Sequence, residues 1–308
     1  MGTLVVAFKA VAPLFLAIFA GIVFSRTKSV SVDWVDILNK YALRIGLPAL
    51  VIASLMRIEP GSGYVQLIIV NSIYFVFSML LALPIAHFFR LPKQAKQALF
   101  LILSYGNVAY LGIPVLRNAY GEAAVPVAGI ISSVYIFWLL TLGITLIELN
   151  GENNFSFRQL IVHQFKNPLM ISVFSGLVIV FFNLKLPEVF TDTIQLFAGS
   201  VTAVVLFSLG IFLGFHRAGS LKDWSAALGW SVVIMFVLPF LFYLAIRNSA
   251  IDSMHLKATI LESAMPLGLT PYALAVQYKL ETSLVARIVV LSTLLSMVVI
   301  PVWMVVLG

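Results

Sequence analysis

Long apolar runs recur from one end of this chain to the other, each closed by a short cluster of charged residues, Pro or Gly. They cover roughly 4–24, 34–56, 64–89, 97–116, 122–147, 168–185, 191–215, 224–246, 256–278 and 283–307. About 20 apolar residues in a helix cross the hydrocarbon core of a bilayer. The pattern therefore predicts an all-α integral membrane protein with ten transmembrane helices. The second run is the least typical, because Asp36, Lys40 and Arg44 lie in its first half. Leu4–Phe24 lacks the basic start and small-residue cleavage site of a signal peptide, so it reads as the first span.

Composition agrees. Of 308 residues, 61% are hydrophobic and 10% charged, whereas soluble domains carry about 25% charged residues. The net charge of +7 is scattered between spans, which suits an anionic lipid leaflet and gives no nucleic-acid surface. Without cysteine there is no disulfide, thiolate metal site or thiol catalyst. His87, His163, His216 and His255 are isolated and lack metal-ligand spacing, so no metal or cofactor is expected. No HExxH helix, mid-span aspartate pair or Ser–His pair suggests an intramembrane enzyme. Lys9 and Arg287 sit near span ends, where long side chains snorkel. Gly210 and Gly214 form a small-xxx-small pair of the kind that packs helices.

Loop charge gives an orientation. The loops after spans 1, 3, 5, 7 and 9 hold Arg26, Lys28, Arg90, Lys93, Lys96, Arg158, Lys166, Arg217, Lys222 and Lys279. The other side holds Arg57, Arg117, Lys185, Arg247 and Lys257. Ten cations against five put the odd loops in the cytoplasm and both termini outside.

The chain also resembles itself. Ala12-Pro13-Leu14 and Phe19-Ala20-Gly21 read against Asn167-Pro168-Leu169 and Phe174-Ser175-Gly176. Asp33 falls opposite Asp192, Glu122 opposite Glu281, and Ser133 opposite Ser292, at an offset near 155–160 residues. Five spans per half turn the second half upside down, the inverted-repeat plan of secondary transporters. The expected division is a first repeat over 1–150, a cytoplasmic linker over 151–167 and a second repeat over 168–308.

Two runs should not be plain helices. One holds Ser104-Tyr105-Gly106-Asn107-Val108-Ala109-Tyr110-Leu111-Gly112-Ile113-Pro114, the other Glu262-Ser263-Ala264-Met265-Pro266-Leu267-Gly268-Leu269-Thr270-Pro271. Proline removes a backbone donor and clashes with the turn before it. Broken backbone survives in a membrane only where protein or a wet cavity satisfies it. Breaks at matching places in two halves point to a binding site near the midplane. Helix ends there offer free N–H groups and a positive dipole end, which suits a carboxylate. Gly106, Asn107, Gly112, Pro114, Pro266, Gly268 and Pro271 are the candidate substrate-site residues.

The string from Gly106 to Pro114 resembles the first crossover of the auxin efflux carrier family, which includes the plant PIN proteins. In that family an asparagine is followed at fixed spacing by Met/Leu-Gly-Ile-Pro. Ala264-Met265-Pro266, Gly268, Pro271, Ala275 and Tyr278 resemble its second crossover. The resemblance covers essentially the whole chain. It implies a scaffold of spans 1, 2, 6 and 7, a moving unit of spans 3–5 and 8–10, and an Asn107 that hydrogen-bonds a substrate carboxylate. Leu267, Gln277 and Lys279 stand where the PIN proteins have glutamine, glutamate and asparagine, and the long PIN cytoplasmic loop is missing. These departures argue for a bacterial member in the inner membrane and against carrying auxin over as substrate. Microbial relatives carry small carboxylates such as malate or malonate.

Glu262 is the only acidic residue well inside a span. Such residues are costly and functional by default, so it is the candidate for coupling to a proton or sodium ion. Asp36, Lys40 and Arg44 share one helix face at i, i+4, i+8. The first two suit an interfacial ladder, and Arg44 is deep enough to attract an anion. The expected function is alternating-access, elevator-like transport of a small organic anion. The expected partners are that carboxylate, a coupling ion and lipid, with a homodimer open to it. The alternatives are a sodium-coupled symporter of the bile-acid type, which shares the ten-span inverted plan, and a channel. The topology is testable with a membrane-impermeant thiol reagent in intact cells. Gly2→Cys and Gly308→Cys should label, while a cysteine in Gly151–Asn154 stays protected. Labelling of one terminus alone overturns the inverted repeat.

Overall fold

The computed structural model describes residues 2–27, 29–56, 64–149, 166–215 and 221–308. Lys28, Arg57, Arg158, Arg217, His163, His216 and all but the last two residues of the expected linker lie outside the described residues, as does the Gly151–Asn154 labelling site. Every regular element among them is helical. In chain order these are α1 (Gly2–Ser25), α2 (Asp33–Leu55), α3 (Tyr64–Phe88), α4 (Lys93–Ser104), α5 (Ile113–Tyr120) and α6 (Ala124–Leu149). Then follow α7 (Pro168–Phe181), α8 (Glu188–Phe215), α9 (Trp224–Ile246), α10 (Ser253–Ser263), α11 (Leu269–Gln277) and α12 (Thr282–Leu307). Six of them, α2, α3, α6, α8, α9 and α12, are long and apolar enough to cross a membrane. Ala12–Ser25 and α7 are shorter apolar helices. The runs 97–116 and 256–278 each break into two helices, α4 with α5 and α10 with α11. Large apolar side chains such as Phe19, Val65, Phe77, Phe181 and Leu196 are exposed on the outer faces. A water-soluble monomer seldom leaves that much contiguous apolar surface uncovered, whereas lipid accepts it.

Among the described residues, four helical stretches widen to a π-turn: Ala42–Gly46, Val108–Gly112, Leu139–Gly143 and Val233–Val237. Three of them end two residues before a proline, at Pro48, Pro114 and Pro239. The cause is local. A proline has no N–H to give and its ring collides with the carbonyl four residues back, so the preceding turn opens to an i→i−5 bond. Leu47, Ile113 and Leu238 accordingly donate to the carbonyls of Ala42, Val108 and Val233. The opened turn in α9 leaves the Met235 carbonyl without the N–H that residue 239 would have supplied. The Trp303 indole of α12 donates to it at 2.9 Å.

Small residues let the helices approach. Gly21 of α1 lies against Gly210 of α8: a β-carbon on Gly21 would strike the Phe207 carbonyl, and one on Gly210 the Ile18 carbonyl. Gly214 faces Ser25 in the same way. Gly46 of α2 packs on Val201 of α8, and Gly176 of α7 on Leu55 of α2. Helices α1, α2, α7 and α8 thus pack on one another, while α3 packs on α6, α9 on α12 and α10 on α6. Gly129 of α6 against Ser54 of α2 is one of the close contacts between these groups.

Overpacking a tight contact costs about 1–3 kcal/mol, so Gly210→Ala should lower the thermal unfolding temperature in detergent. Gly229→Ala, whose new methyl meets nothing within 4 Å, should match or slightly exceed the unmodified protein. Equal midpoints for the two variants would remove the α1–α8 contact from the account.

Candidate functional site

The chain leaves α4 at Ser104 and turns extended at Tyr105 (φ −123°, ψ 96°). Asn107 follows at φ −79°, ψ 50°, before the wide turn that leads into α5. On the other side, α10 ends at Ser263, and Gly268 is extended before α11 begins. The two interrupted segments cross antiparallel and satisfy each other. Gly106 bridges Leu267, and the Asn107 N–H donates to the Pro266 carbonyl at 2.6 Å. The Leu267 N–H donates to the Ser292 hydroxyl of α12 at 3.0 Å.

Each proline and glycine has a place in this crossing. Pro266 has no N–H of its own to be satisfied within the break. Pro114 and Pro271 stand second and third in α5 and α11, in the first turn, where an N–H has no intrahelical acceptor anyway. A β-carbon on Gly106 would come within 2.9 Å of the Met265 carbonyl oxygen. One on Gly268 would touch the Cα, Cβ and Cγ of Asn107 at 3.4 Å. Asn107 is thereby held between the breaks, 3% exposed, with its side-chain oxygen unpartnered. The Asn107 carbonyl accepts from both Leu111 and Gly112, at 3.1 and 3.0 Å, which starts the wide turn. Both downstream segments aim their N-terminal ends at the crossing, and those ends favour negative charge.

Glu262 lies on the last turn of α10 at 0% exposure, and neither carboxyl oxygen has a hydrogen-bond partner. Its carboxyl rests on the α-carbon of Gly112, where a side chain at 112 would have to be. The acid of the second break therefore touches the first. Arg44 lies elsewhere, exposed in the wide turn of α2 and lining none of this. The neighbouring Asp36 and Lys40 form an exposed ion pair at 2.6 Å.

Beside the crossing, at the seam between α2 and α8 on one side and α5 and α6 on the other, is a cavity of about 190 Å³. Pro114 forms part of its wall, with Ser54, Arg117, Gln195, Gly199 and Thr202. Arg117 pairs with Glu122 at 3.1 Å, both partly exposed. In the sequence Arg117 reads only as a loop cation, and the α8 residues do not stand out. Gln195, Gly199 and Thr202 follow i, i+4, i+7, and that polar and small stripe in an apolar helix was the available signal.

The family model for membrane transport proteins matches residues 6–304. The chain belongs to this family, that of the auxin efflux carriers. It is 23% identical to the uncharacterized transporter YfdV of Escherichia coli, over 94% of each chain. It is 22% identical to the uncharacterized transporter MJ1031 of Methanocaldococcus jannaschii, over 87% of this chain and 88% of the relative. A probable auxin efflux carrier component 3b of rice, Oryza sativa subsp. japonica, is 23% identical over 41% of this chain and 22% of its own. Family and relatives alike indicate a transporter rather than an enzyme.

The contact between Glu262 and Gly112 yields a test that needs no substrate. Gly112→Ala drives a methyl into the carboxyl and should lower thermal stability by about 1–3 kcal/mol. In a Glu262→Ala background the space is free, so the same change should cost far less. Additive effects in this double-mutant cycle would show that the two residues do not touch.

Proposed function

We propose that this membrane transporter is a secondary carrier for a small organic carboxylate, bound at the crossing of the two helix breaks. The observation that carries the proposal is Asn107. It is buried, fixed by its own backbone bond to Pro266 and packed against Gly268. An amide so held, beside two helix N-terminal ends, suits a carboxylate. The cavity at the Pro114 wall lies beside the crossing, with Arg117, paired to Glu122, among its lining residues. Its position at a seam fits an elevator in which spans 1, 2, 6 and 7 stand still and spans 3–5 and 8–10 move. The two halves, 1–150 and 168–308, are then inverted repeats in a bacterial inner membrane, with both termini outside.

Glu262 is the coupling group in this reading. Its two unpartnered oxygens lie against the first break, so a change in their charge is felt where the substrate binds. The coupling ion in this reading is a proton. Glu262→Gln keeps the shape and removes the titrating group. It should flatten the pH dependence of transport in proteoliposomes more than it weakens binding, and an unchanged pH profile leaves Glu262 a structural residue.

An amide hydrogen bond to a charged group contributes about 1.5–3 kcal/mol. With about 1.4 kcal/mol per tenfold, Asn107→Ala should weaken carboxylate binding roughly 10- to 150-fold. Asn107→Asp should be at least as damaging, because it sets like charge against the anion. The measurement is binding to the purified protein across a panel of mono- and dicarboxylates. Wild-type affinity of Asn107→Ala for every carboxylate that binds overturns the assignment.

A further inference from the structure

Helix α10 runs from an Asp252 cap, whose carboxylate accepts from the Met254 and His255 N–H groups at 2.8 and 3.2 Å, down to the break. His255, Thr259 and Glu262 occupy i, i+4 and i+7 and are all buried, so they lie on one face over about 10 Å of helix. Helix α3 covers this face with polar groups of its own. The Tyr64 ring packs on the His255 imidazole, centroids 5.4 Å apart. The Asn71 amide donates to the Thr259 hydroxyl at 3.0 Å and to the Leu67 carbonyl at 2.9 Å. The Asn71 side-chain oxygen, fully buried, has no partner, and neither has either oxygen of Glu262.

Polar residues between membrane helices commonly serve as glue, and Asn71 with Thr259 would suffice for that. Glue does not account for the rest. A buried acceptor left unpaired costs more than such a bond returns, and the string leads from the capped end of the helix to an unpartnered acid.

We infer that this string is the route by which Glu262 exchanges its proton with the surface. The inference rests on the reading of Glu262 as the coupling acid. His255 at the mouth takes a proton from solution on one ring nitrogen and releases one from the other. The Thr259 hydroxyl accepts that proton and gives its own to the Glu262 carboxylate. The net change is one proton moved from solution to the acid, with imidazole and hydroxyl regenerated. Each hop is one helical turn, a Cβ spacing of about 5–6 Å, and since the Glu262 oxygens have no side-chain partner the last hop runs through one bridging water. Asn71 holds Thr259 in place.

Among the described residues the titratable groups around the route are few. Asp252 and Tyr64 flank His255, while Lys257 reaches the Gly308 carbonyl and lies 5.8 Å from the Tyr120 ring centroid. Tyr74 from α3, Tyr105 from the first break and Tyr135 from α6 line a small pocket with Ser263, the residue after Glu262. Helix α9 brings Tyr243, packed on Trp303. Arg287 of α12 is more than a turn before Ser292, which meets Leu267 beyond the break.

The test is infrared spectroscopy of the full chain in lipid, with no substrate. The protonated carboxyl stretch of Glu262 is assigned by its loss in Glu262→Gln, and its shift on transfer to heavy water times the proton exchange. Thr259→Val, which keeps the shape without the hydroxyl, should slow that shift at least tenfold. Thr259→Ser should keep the wild-type rate, and backbone amide exchange should be the same in all three. His255→Phe should also slow the shift, and it stands in if Thr259→Val does not fold. Equal carboxyl exchange in wild type, Thr259→Val and His255→Phe overturns the route while leaving the coupling acid intact. A wild-type protein with no protonated Glu262 band at any pH overturns both.

Discussion

Two broken helices cross in this protein, and the bond from the Asn107 N–H to the Pro266 carbonyl is what makes either break tolerable. An unpaired backbone group in a bilayer interior costs several kcal/mol. One break alone would leave several such groups; two breaks laid antiparallel cancel much of the debt between them. The arrangement is strict as a result. Neither segment can move along its axis without unpairing the other, and Gly106 can approach Met265 only because it has no side chain. The position of Asn107 follows from the backbone pairing rather than from its own side chain.

That constraint also explains where the acid sits. The end of α10 is brought against the wide turn of the first segment, and Glu262 fills the space that Gly112 leaves open. A carboxyl in this place senses the geometry of both segments at once. It touches the same turn whose first residues face the crossing. The two breaks are therefore joined by contact over a single residue, Gly112, with no need for a long chain of intermediaries.

Much of this was legible in the sequence because its causes are local. Apolar length marks helices, and Pro with Gly inside an apolar run marks a break, so Gly106–Pro114 and Pro266–Pro271 stand out in the sequence itself. The solitary acid at 262 stood out for the same reason. What was hidden depends on which helix lies beside which. That Glu262 meets Gly112 is a tertiary fact about two short words 150 residues apart. Asn71 and the stripe Gln195, Gly199, Thr202 look like scattered polar positions until a neighbour is placed on them. Arg44 shows the converse: depth along a run does not say which face a residue takes, and this one faces outward.

The link between Pro239 and Trp303 bears on how such a chain can change over time. The proline opens the turn, and the indole closes the account by taking the Met235 carbonyl. Losing the tryptophan first strands a carbonyl in the membrane, whereas losing the proline first restores a regular turn and leaves the indole merely idle. Descent through this pair thus has a permitted order. Lineages should shed the proline before the tryptophan, and sequences that keep Pro239 should carry a donor at 303.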